Sequence, residues 1–198
     1  MRSLEGFSDR FLGEIAGQPD AMRRAAAALV DQREALDRIR EASAASRTIV
    51  LSGMGGAYVA CYPAVNDLAA RGVPALLVDA AEVLHFRRPI LNAQTLAVVV
   101  SQSGESAEIV RLVNELAKQR TRPFVVAITN GTNNDLSRRA DIELDTWAGP
   151  ESGPSSMTFA ASMTTLSGLA RLLAGDSVDT AVDRTRTAAE GAARSAER

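Results

Sequence analysis

Short apolar runs alternate with helix-like segments along most of this chain, and this alternation constrains the fold more than any other feature of the sequence. Four of the runs are four or five residues long and rich in valine, leucine and isoleucine, which is typical of strands buried on both faces of a parallel sheet. A fifth, shorter run predicts an edge strand. We therefore expect strands at residues 48–51, 75–78, 96–100, 124–128 and 142–144.

Parallel strands need crossover connections, which are usually helices that cover both faces of the sheet. The segments between the runs carry apolar residues at helical spacing. The sequence therefore predicts an α/β fold, a three-layer αβα sandwich around a five-stranded parallel sheet of the doubly wound type. Because ligands of such sheets bind beyond the carboxyl ends of the strands, we expect the functional residues there.

The length of 198 residues suits one main domain with helical additions at both ends. We expect residues 1–47 to form two helices that pack on this domain, with Pro19 in a favourable first helical position. Residues 48–175 form the predicted domain. Residues 176–198 are rich in alanine, arginine and glutamate and predict a C-terminal helix or tail.

The polar stretch SQSGES, from Ser101 to Ser106, follows the third long run and precedes a predicted helix. A helix N-terminus offers unpaired N–H groups and attracts anions. Serine hydroxyls donate to phosphate oxygens, and Gly104 lets the backbone approach a ligand closely. We interpret the stretch as a phosphate site. The alternative is an ordinary turn in which a serine only caps the helix.

The same stretch resembles the Ser-Gln-Ser-Gly-Glu-Thr signature of the sugar isomerase (SIS) family, from which it differs only at Ser106. Three further segments resemble, in the same order, parts of the first isomerase domain of the glucosamine-6-phosphate synthases (glutamine–fructose-6-phosphate aminotransferases). These segments lie at residues 11–19, 81–83 and 148–156, and the last includes Gly153. The resemblance covers roughly residues 11–175.

This resemblance implies a flavodoxin-like SIS domain that binds a phosphorylated sugar and pairs, either as a homodimer or with a second SIS domain. It implies no metal and no organic cofactor, because isomerisation through an enediol needs only acid and base groups. It also implies which residues bind the phosphate and the sugar, namely Ser101, Gln102, Ser103, Gly104, Ser106 and Ser156.

A glycine-rich turn follows the first run, and its form resembles the phosphoglucose and phosphomannose isomerase branch of the family. We expect the backbone N–H groups of Gly55 and Gly56 to contact the ligand there. A dinucleotide site is the alternative, with Asp79 as the ribose-binding acid. Tyr58 stands where the third glycine of that motif belongs, which argues against this alternative.

Glu151 and His85 are the candidate catalytic residues. A base must move a proton between the two sugar carbons, and burial brings a glutamate pKa nearer to neutrality. His85 is a natural proton shuttle that, in a dimer, can enter the neighbouring site. The ordinary alternatives are a solvated or capping carboxylate and a surface histidine. Thr158 replaces the lysine of the family, and the synthases carry their isomerising glutamate in a second SIS domain.

We therefore expect a protein that binds a hexose 6-phosphate. One possibility is a sugar-phosphate isomerase, or the sugar-isomerase part of an aminotransferase or deaminase without a glutaminase domain. The other possibility is a non-catalytic module that senses a sugar phosphate.

Composition argues against several other classes of protein. The net charge is −2 and the basic residues are scattered, which does not suit a nucleic-acid surface. No apolar run approaches the ~20 residues that cross a bilayer, so we expect no membrane partner and a cytoplasmic location. The single cysteine, Cys61, predicts a buried thiol, and the lone His85 gives no metal site.

Overall fold

The computed structural model describes residues 9–152 and 154–196; Gly153, in the predicted sugar loop, lies outside the described residues. Its sheet has five parallel strands in the order β2-β1-β3-β4-β5, which confirms the predicted α/β fold. Each strand agrees with its predicted position to within two residues at each end. The strands are β1 (Thr48–Gly53), β2 (Ala75–Asp79), β3 (Thr95–Val100), β4 (Phe124–Thr129) and β5 (Ile142–Asp145).

Helices cover both faces of the sheet, as the crossover rule requires. They are α1 (Asp9–Ala16), α2 (Gln18–Asp31), α3 (Arg33–Ala45), α4 (Gly56–Ala60), α5 (Tyr62–Ala70), α6 (Ala80–Glu82), α7 (Ala107–Ala117), α8 (Met157–Leu173) and α9 (Val178–Ala196). A π-helical turn (Val83–Arg87) and a 3₁₀ turn (Arg88–Ile90) follow α6, and a second 3₁₀ turn (Ser137–Arg139) precedes β5.

From residue 9, where the described part of the chain begins, the N-terminal segment forms three helices instead of the two that we expected. The chain turns between α2 and α3 at Gln32, where the backbone leaves the helical region. The Gln32 side chain donates to the carbonyls of Ala28 and Asp145 and accepts from the Asp145 N–H. This amide therefore fixes the turn and ties it to the end of β5.

The central strand β3 divides the core into two layers. All six of its residues are buried, and successive side chains point to opposite faces. Val98 and Val100 pack with α5, α8 and α9, whereas Val99 packs with α7 and the π-helical turn. Because β3 lies in the middle of the sheet, the loop that follows it opens at the centre of the carboxyl edge.

Helix α9 packs against α2 and α8 and contributes Val178, Ala181 and Val182 to the core. The contact between α8 and α9 is close at Gly168, where an added Cβ would lie 3.1 Å from the Thr185 hydroxyl oxygen. The division of the chain at residues 47 and 175 stays a prediction.

The Cys61 thiol is buried, as predicted, and donates to the Ala57 carbonyl over 3.3 Å. Burial raises its pKa to about 12, so the thiol is protonated and unreactive at neutral pH. None of the helices in the described part of the chain has the length and hydropathy needed to cross a membrane. Among the same residues, no cluster of three side chains suits a metal ion.

Candidate functional site

A pocket of about 160 Å³ opens at the carboxyl edge of the sheet. Its walls are the β3–α7 loop, the β1–α4 turn with helix α4, and the first turns of α8. The lining residues are Met54, Gly56, Ala57, Ala60, Val100, Ser101, Gln102, Ser103, Ser106, Ser155, Phe159 and Ser162.

The β3–α7 loop is held in shape by its own hydroxyl groups. The buried Ser101 Oγ accepts a hydrogen bond from the Gly104 N–H over 3.2 Å and lies 3.5 Å from the Ser106 Oγ. The Ser103 Oγ accepts from the Glu105 N–H over 3.1 Å. Since an accepting hydroxyl keeps its own proton, the Ser103 hydroxyl is still able to donate to a ligand.

Ser106 occupies the N-cap position of α7, yet its side chain makes no capping hydrogen bond. The alternative interpretation of this serine as a simple helix cap is therefore wrong. The N–H groups in the first turn of α7 have no side-chain cap and keep their capacity to bind an anion.

Gly104 shapes the loop from behind and does not line the pocket. Its φ of +65° favours glycine, and an added Cβ would lie 1.9 Å from the Asn134 Oδ1. Its carbonyl accepts from the Leu136 N–H over 3.0 Å. The buried Asn134 is itself fixed by hydrogen bonds to Gly131 and Ser137. The segment after β4 thus supports the serine loop.

The Glu151 carboxylate caps helix α8. Its Oε1 accepts from the Ser156 N–H, the Ser156 hydroxyl and the Met157 N–H over 2.7, 2.9 and 2.7 Å. Its Oε2 accepts from Gln102 Nε2 over 3.1 Å and from the Thr158 hydroxyl. Thr158, at the position of the family lysine, therefore supports this cap and brings no charge.

Two opposing effects set the pKa of Glu151. Burial raises it, but the hydrogen bonds from Thr158, Ser156 and Met157 outweigh burial and hold the pKa below its ordinary value. A general base for isomerisation needs the opposite shift. The expectation that burial brings the pKa of this carboxylate towards neutrality is therefore wrong.

Ser156 and Ser155 differ in what they face. Ser156 is buried and its hydroxyl donates to Glu151, whereas the exposed Ser155 lines the pocket and hydrogen-bonds to Thr158 over 2.6 Å. The predicted sugar contact of Ser156 stays a prediction. Ser155, and not Ser156, lines the pocket. In the glycine turn, Gly56 lines the pocket, and the exposed Gly55, with φ of +53°, precedes it.

His85 lies away from the pocket. It is exposed on the π-helical turn and borders a second groove beside α7, with Arg88, Arg111 and Lys118. Its own chain therefore does not bring His85 to the serine loop. Of the predicted residues, the structure brings together at the pocket Ser101, Gln102, Ser103, Ser106 and Gly56.

Sequence reasoning missed the second wall of the pocket. Phe159 and Ser162 were not identified, whereas Ser155 was noted as a serine at the start of the helix; the three lie four and three residues apart, as do neighbours on one face of a helix. This spacing is the signal that could have found them.

Glu14, on α1, was also missed. Its side chain is buried and accepts from the N–H and the hydroxyl of Ser152 over 3.0 and 3.2 Å. Helix α1 is therefore joined to the loop that carries Glu151.

Comparisons with known proteins match this chain to one family. The SIS domain family model matches residues 44–172. The glutamine–fructose-6-phosphate aminotransferase [isomerizing] of Symbiobacterium thermophilum is 32% identical over 160 residues, which are 74% of this chain and 25% of that protein. The chain spans between 12% and 27% of the length of the aminotransferases it matches first.

Solved structures show the same fold. The C-terminal domain of glucosamine-fructose-6-phosphate aminotransferase from Francisella tularensis has a TM-score of 0.74 at 24% identity, over 96% of this chain and 54% of that one. The Escherichia coli CFT073 protein c3406, in complex with a phosphosugar, has a TM-score of 0.65 at 17% identity, over 85% of this chain and 92% of that one.

Proposed function

We propose that this chain, which belongs to the SIS domain family, binds the phosphate ester of a sugar in the pocket beside the β3–α7 loop. One observation carries the proposal: the N-terminus of α7 has no side-chain cap, although three serine hydroxyls surround it. A phosphate group would meet both the N–H groups and the hydroxyls. The relative c3406, whose structure holds a phosphosugar, has the same fold.

The two helices that meet at the pocket support this proposal by contrast. The N-terminus of α8 is capped by an anion from its own chain, because the Glu151 carboxylate accepts hydrogen bonds from the first N–H groups of the helix. Helix α7 receives none at its N-cap. Glu108 in its first turn adds a favourable charge but no capping hydrogen bond. The anion-binding capacity of α7 is thus left for a ligand.

The side chains of the loop would contact different parts of the ligand. Ser103 and Ser106 are placed to donate to phosphate oxygens, and Ser101 orients the loop through Gly104. One N–H of Gln102 is used by Glu151, which leaves the amide oxygen and the second N–H. Since an amide oxygen accepts from hydroxyls and repels phosphate oxygens, we assign Gln102 to the sugar.

Isomerisation would need a base that this pocket does not supply from its own described residues, because none of the lining side chains titrates near neutral pH. Glu151 is occupied by its hydrogen bonds, and His85 lies in another groove. An isomerase, or the isomerase part of an aminotransferase or deaminase, would therefore take its base from a second SIS domain. The exposed His85, in a second copy of this chain, is the candidate.

The lack of a base in the pocket also favours the second candidate function, a module that senses a sugar phosphate without converting it. Thermal unfolding with fructose 6-phosphate separates binding from catalysis, because a ligand that binds only the folded state raises the Tm. The same protein is incubated with fructose 6-phosphate and ammonia, and with glucosamine 6-phosphate, and the sugars are analysed. A raised Tm with no interconversion indicates the sensor; interconversion indicates the enzyme.

The Ser103→Ala variant tests the binding site itself. We expect it to weaken fructose 6-phosphate binding by about 1–3 kcal/mol, as for a lost hydrogen bond to a charged group. Ser177→Ala is the matched control, since Ser177 is also exposed and accepts a backbone N–H, but at the start of α9. Unchanged affinity of the Ser103 variant would refute the proposed phosphate site.

A further inference from the structure

The pocket has two walls of different chemistry. The serine loop supplies hydroxyl groups, whereas α4 and α8 supply the apolar surfaces of Ala57, Ala60 and Phe159. In the described part of the chain, no charged side chain lines either wall. Whatever extends from a bound phosphate along the second wall therefore meets apolar surface and neutral hydroxyls.

The carboxylate nearest to this wall is not available to a ligand. Glu151 accepts five hydrogen bonds from its own chain, and its two oxygens are shared among helix α8, Thr158 and Gln102. An ammonium group in the pocket would lose water without gaining an ion pair, which is unfavourable. A carboxylate on a ligand in the pocket would likewise have no cationic side chain among the lining residues to pair with.

Ser162 is a polar group in this wall that has no partner. It lies on α8 at the pocket with 8% of its surface exposed, and its hydroxyl makes no hydrogen bond within the described chain. The Ser162 oxygen still reaches the solvent of the pocket, so a ligand group that hydrogen-bonds to it would replace water there. A neutral sugar hydroxyl is such a group.

We infer that the pocket selects a sugar phosphate whose sugar carries no ionised substituent, and that the Ser162 hydroxyl contacts this sugar. The inference rests on the proposed function and adds the class of sugar. It predicts discrimination against amino sugars with a free ammonium group. It therefore argues against glucosamine 6-phosphate as the preferred ligand of this chain.

Glucose 6-phosphate and glucosamine 6-phosphate test the inference, because they differ at one substituent. Calorimetric titration of the full chain at pH 6, where the amine is protonated, should give an affinity for glucose 6-phosphate at least about tenfold higher, a difference of about 1.4 kcal/mol. Equal binding, or tighter binding of the amino sugar, would overturn the inference but not the proposed function. No binding of either sugar or of inorganic phosphate would overturn both.

Two variants examine the wall directly. Ser155→Asp places a carboxylate at the exposed edge of the pocket and should shift the affinity ratio at least about fivefold towards the amino sugar. Ser162→Ala should weaken glucose 6-phosphate binding by about three- to tenfold and leave inorganic phosphate binding unchanged. Ser167→Ala, on the same helix but outside the pocket lining, is the control.

If the Ser162 variant does not fold, the Ser155 variant decides the question. An unchanged ratio in that variant, or undiminished glucose 6-phosphate binding in a folded Ser162 variant, contradicts the inference.

Discussion

At the scale of single residues, the Glu151 carboxylate shows how local hydrogen bonds can set the role of an acidic group. Its sequence position, in a loop at the carboxyl edge of the sheet, made it a candidate base. The structure surrounds it with donors from α8 and from Gln102, and these donors hold its pKa low. A carboxylate in this state stabilises structure as an anion and has little tendency to take up a proton.

Glu151→Gln should therefore destabilise the protein by about 1–3 kcal/mol at pH 7, because the amide replaces a charged acceptor. The pH dependence has a definite sign. The folded-state pKa lies below the unfolded one, so the stabilisation is present above the ordinary glutamate pKa of about 4.3 and is lost as the pH falls below it. Urea unfolding should show that the variant loses less stability than the parent between pH 6 and pH 3.5. An equal loss of stability in both proteins over this pH range would show that the hydrogen bonds do not lower the pKa of Glu151.

Gly104 gives a second prediction at the same scale. Gly104→Ala should destabilise by about 2 kcal/mol or more, because the new methyl group meets Asn134 and the positive φ adds strain. Gly72→Ala is a matched control, since Gly72 has φ of +76° and open space around it. Chemical denaturation should therefore show a larger loss for the Gly104 variant. Equal losses would mean that the contact with Asn134 does not constrain the loop.

At the level of the helices and strands, the N-terminus of α7 without a side-chain cap is the feature that would link the fold to the proposed phosphate binding. Ser106→Asp should supply the missing anion, stabilise α7 by about 0.5–1 kcal/mol and abolish sugar-phosphate binding. Ser106→Ala removes the hydroxyl without adding charge, so it should weaken binding without the gain in stability. Thermal unfolding and titration measure the two effects. A Ser106→Asp variant that still binds fructose 6-phosphate normally would show that the anion site lies elsewhere.

The elements were largely predictable because strands buried on both faces must be apolar throughout, and β3 meets this requirement in all but its first residue, Thr95. The chemical roles of the side chains at the pocket were less predictable. The serine loop was found from its three hydroxyls, but the state of Glu151 depends on Ser156, Met157 and Thr158, which only the folding of α8 brings to it. A loop residue of this kind has no periodic signal in the sequence.

At the level of the whole molecule, we propose that pairing of two copies would decide whether the proposed binding leads to catalysis. His85 and its neighbour Phe86 stand on an exposed turn, and Phe86 is 82% exposed. Burying an apolar side chain of this size against a partner lowers the free energy, because it removes apolar surface from water. We expect sedimentation to show a dimer at micromolar concentration. Phe86→Asp should weaken the dimer and leave ligand affinity unchanged, whereas a monomeric parent would count against self-pairing.

The whole-molecule topology also explains what the sequence could not show. The first wall of the pocket comes from one continuous loop, and sequence reasoning found it. The second wall comes from α4 and α8, which are about one hundred residues apart in the sequence and meet because both pack on the same face of the sheet. Their residues at the pocket, such as Ala57 and Phe159, look like ordinary helix faces in isolation.

In the proposed site, a phosphate ester binds between the serine loop and the N-terminus of α7. A crystal structure of the chain with fructose 6-phosphate tests it most directly. We predict electron density for the phosphate within hydrogen-bonding distance of the Ser103 and Ser106 hydroxyls and of the first N–H groups of α7. A ligand bound only in the His85 groove, or a pocket that stays empty at saturating sugar phosphate, would contradict it.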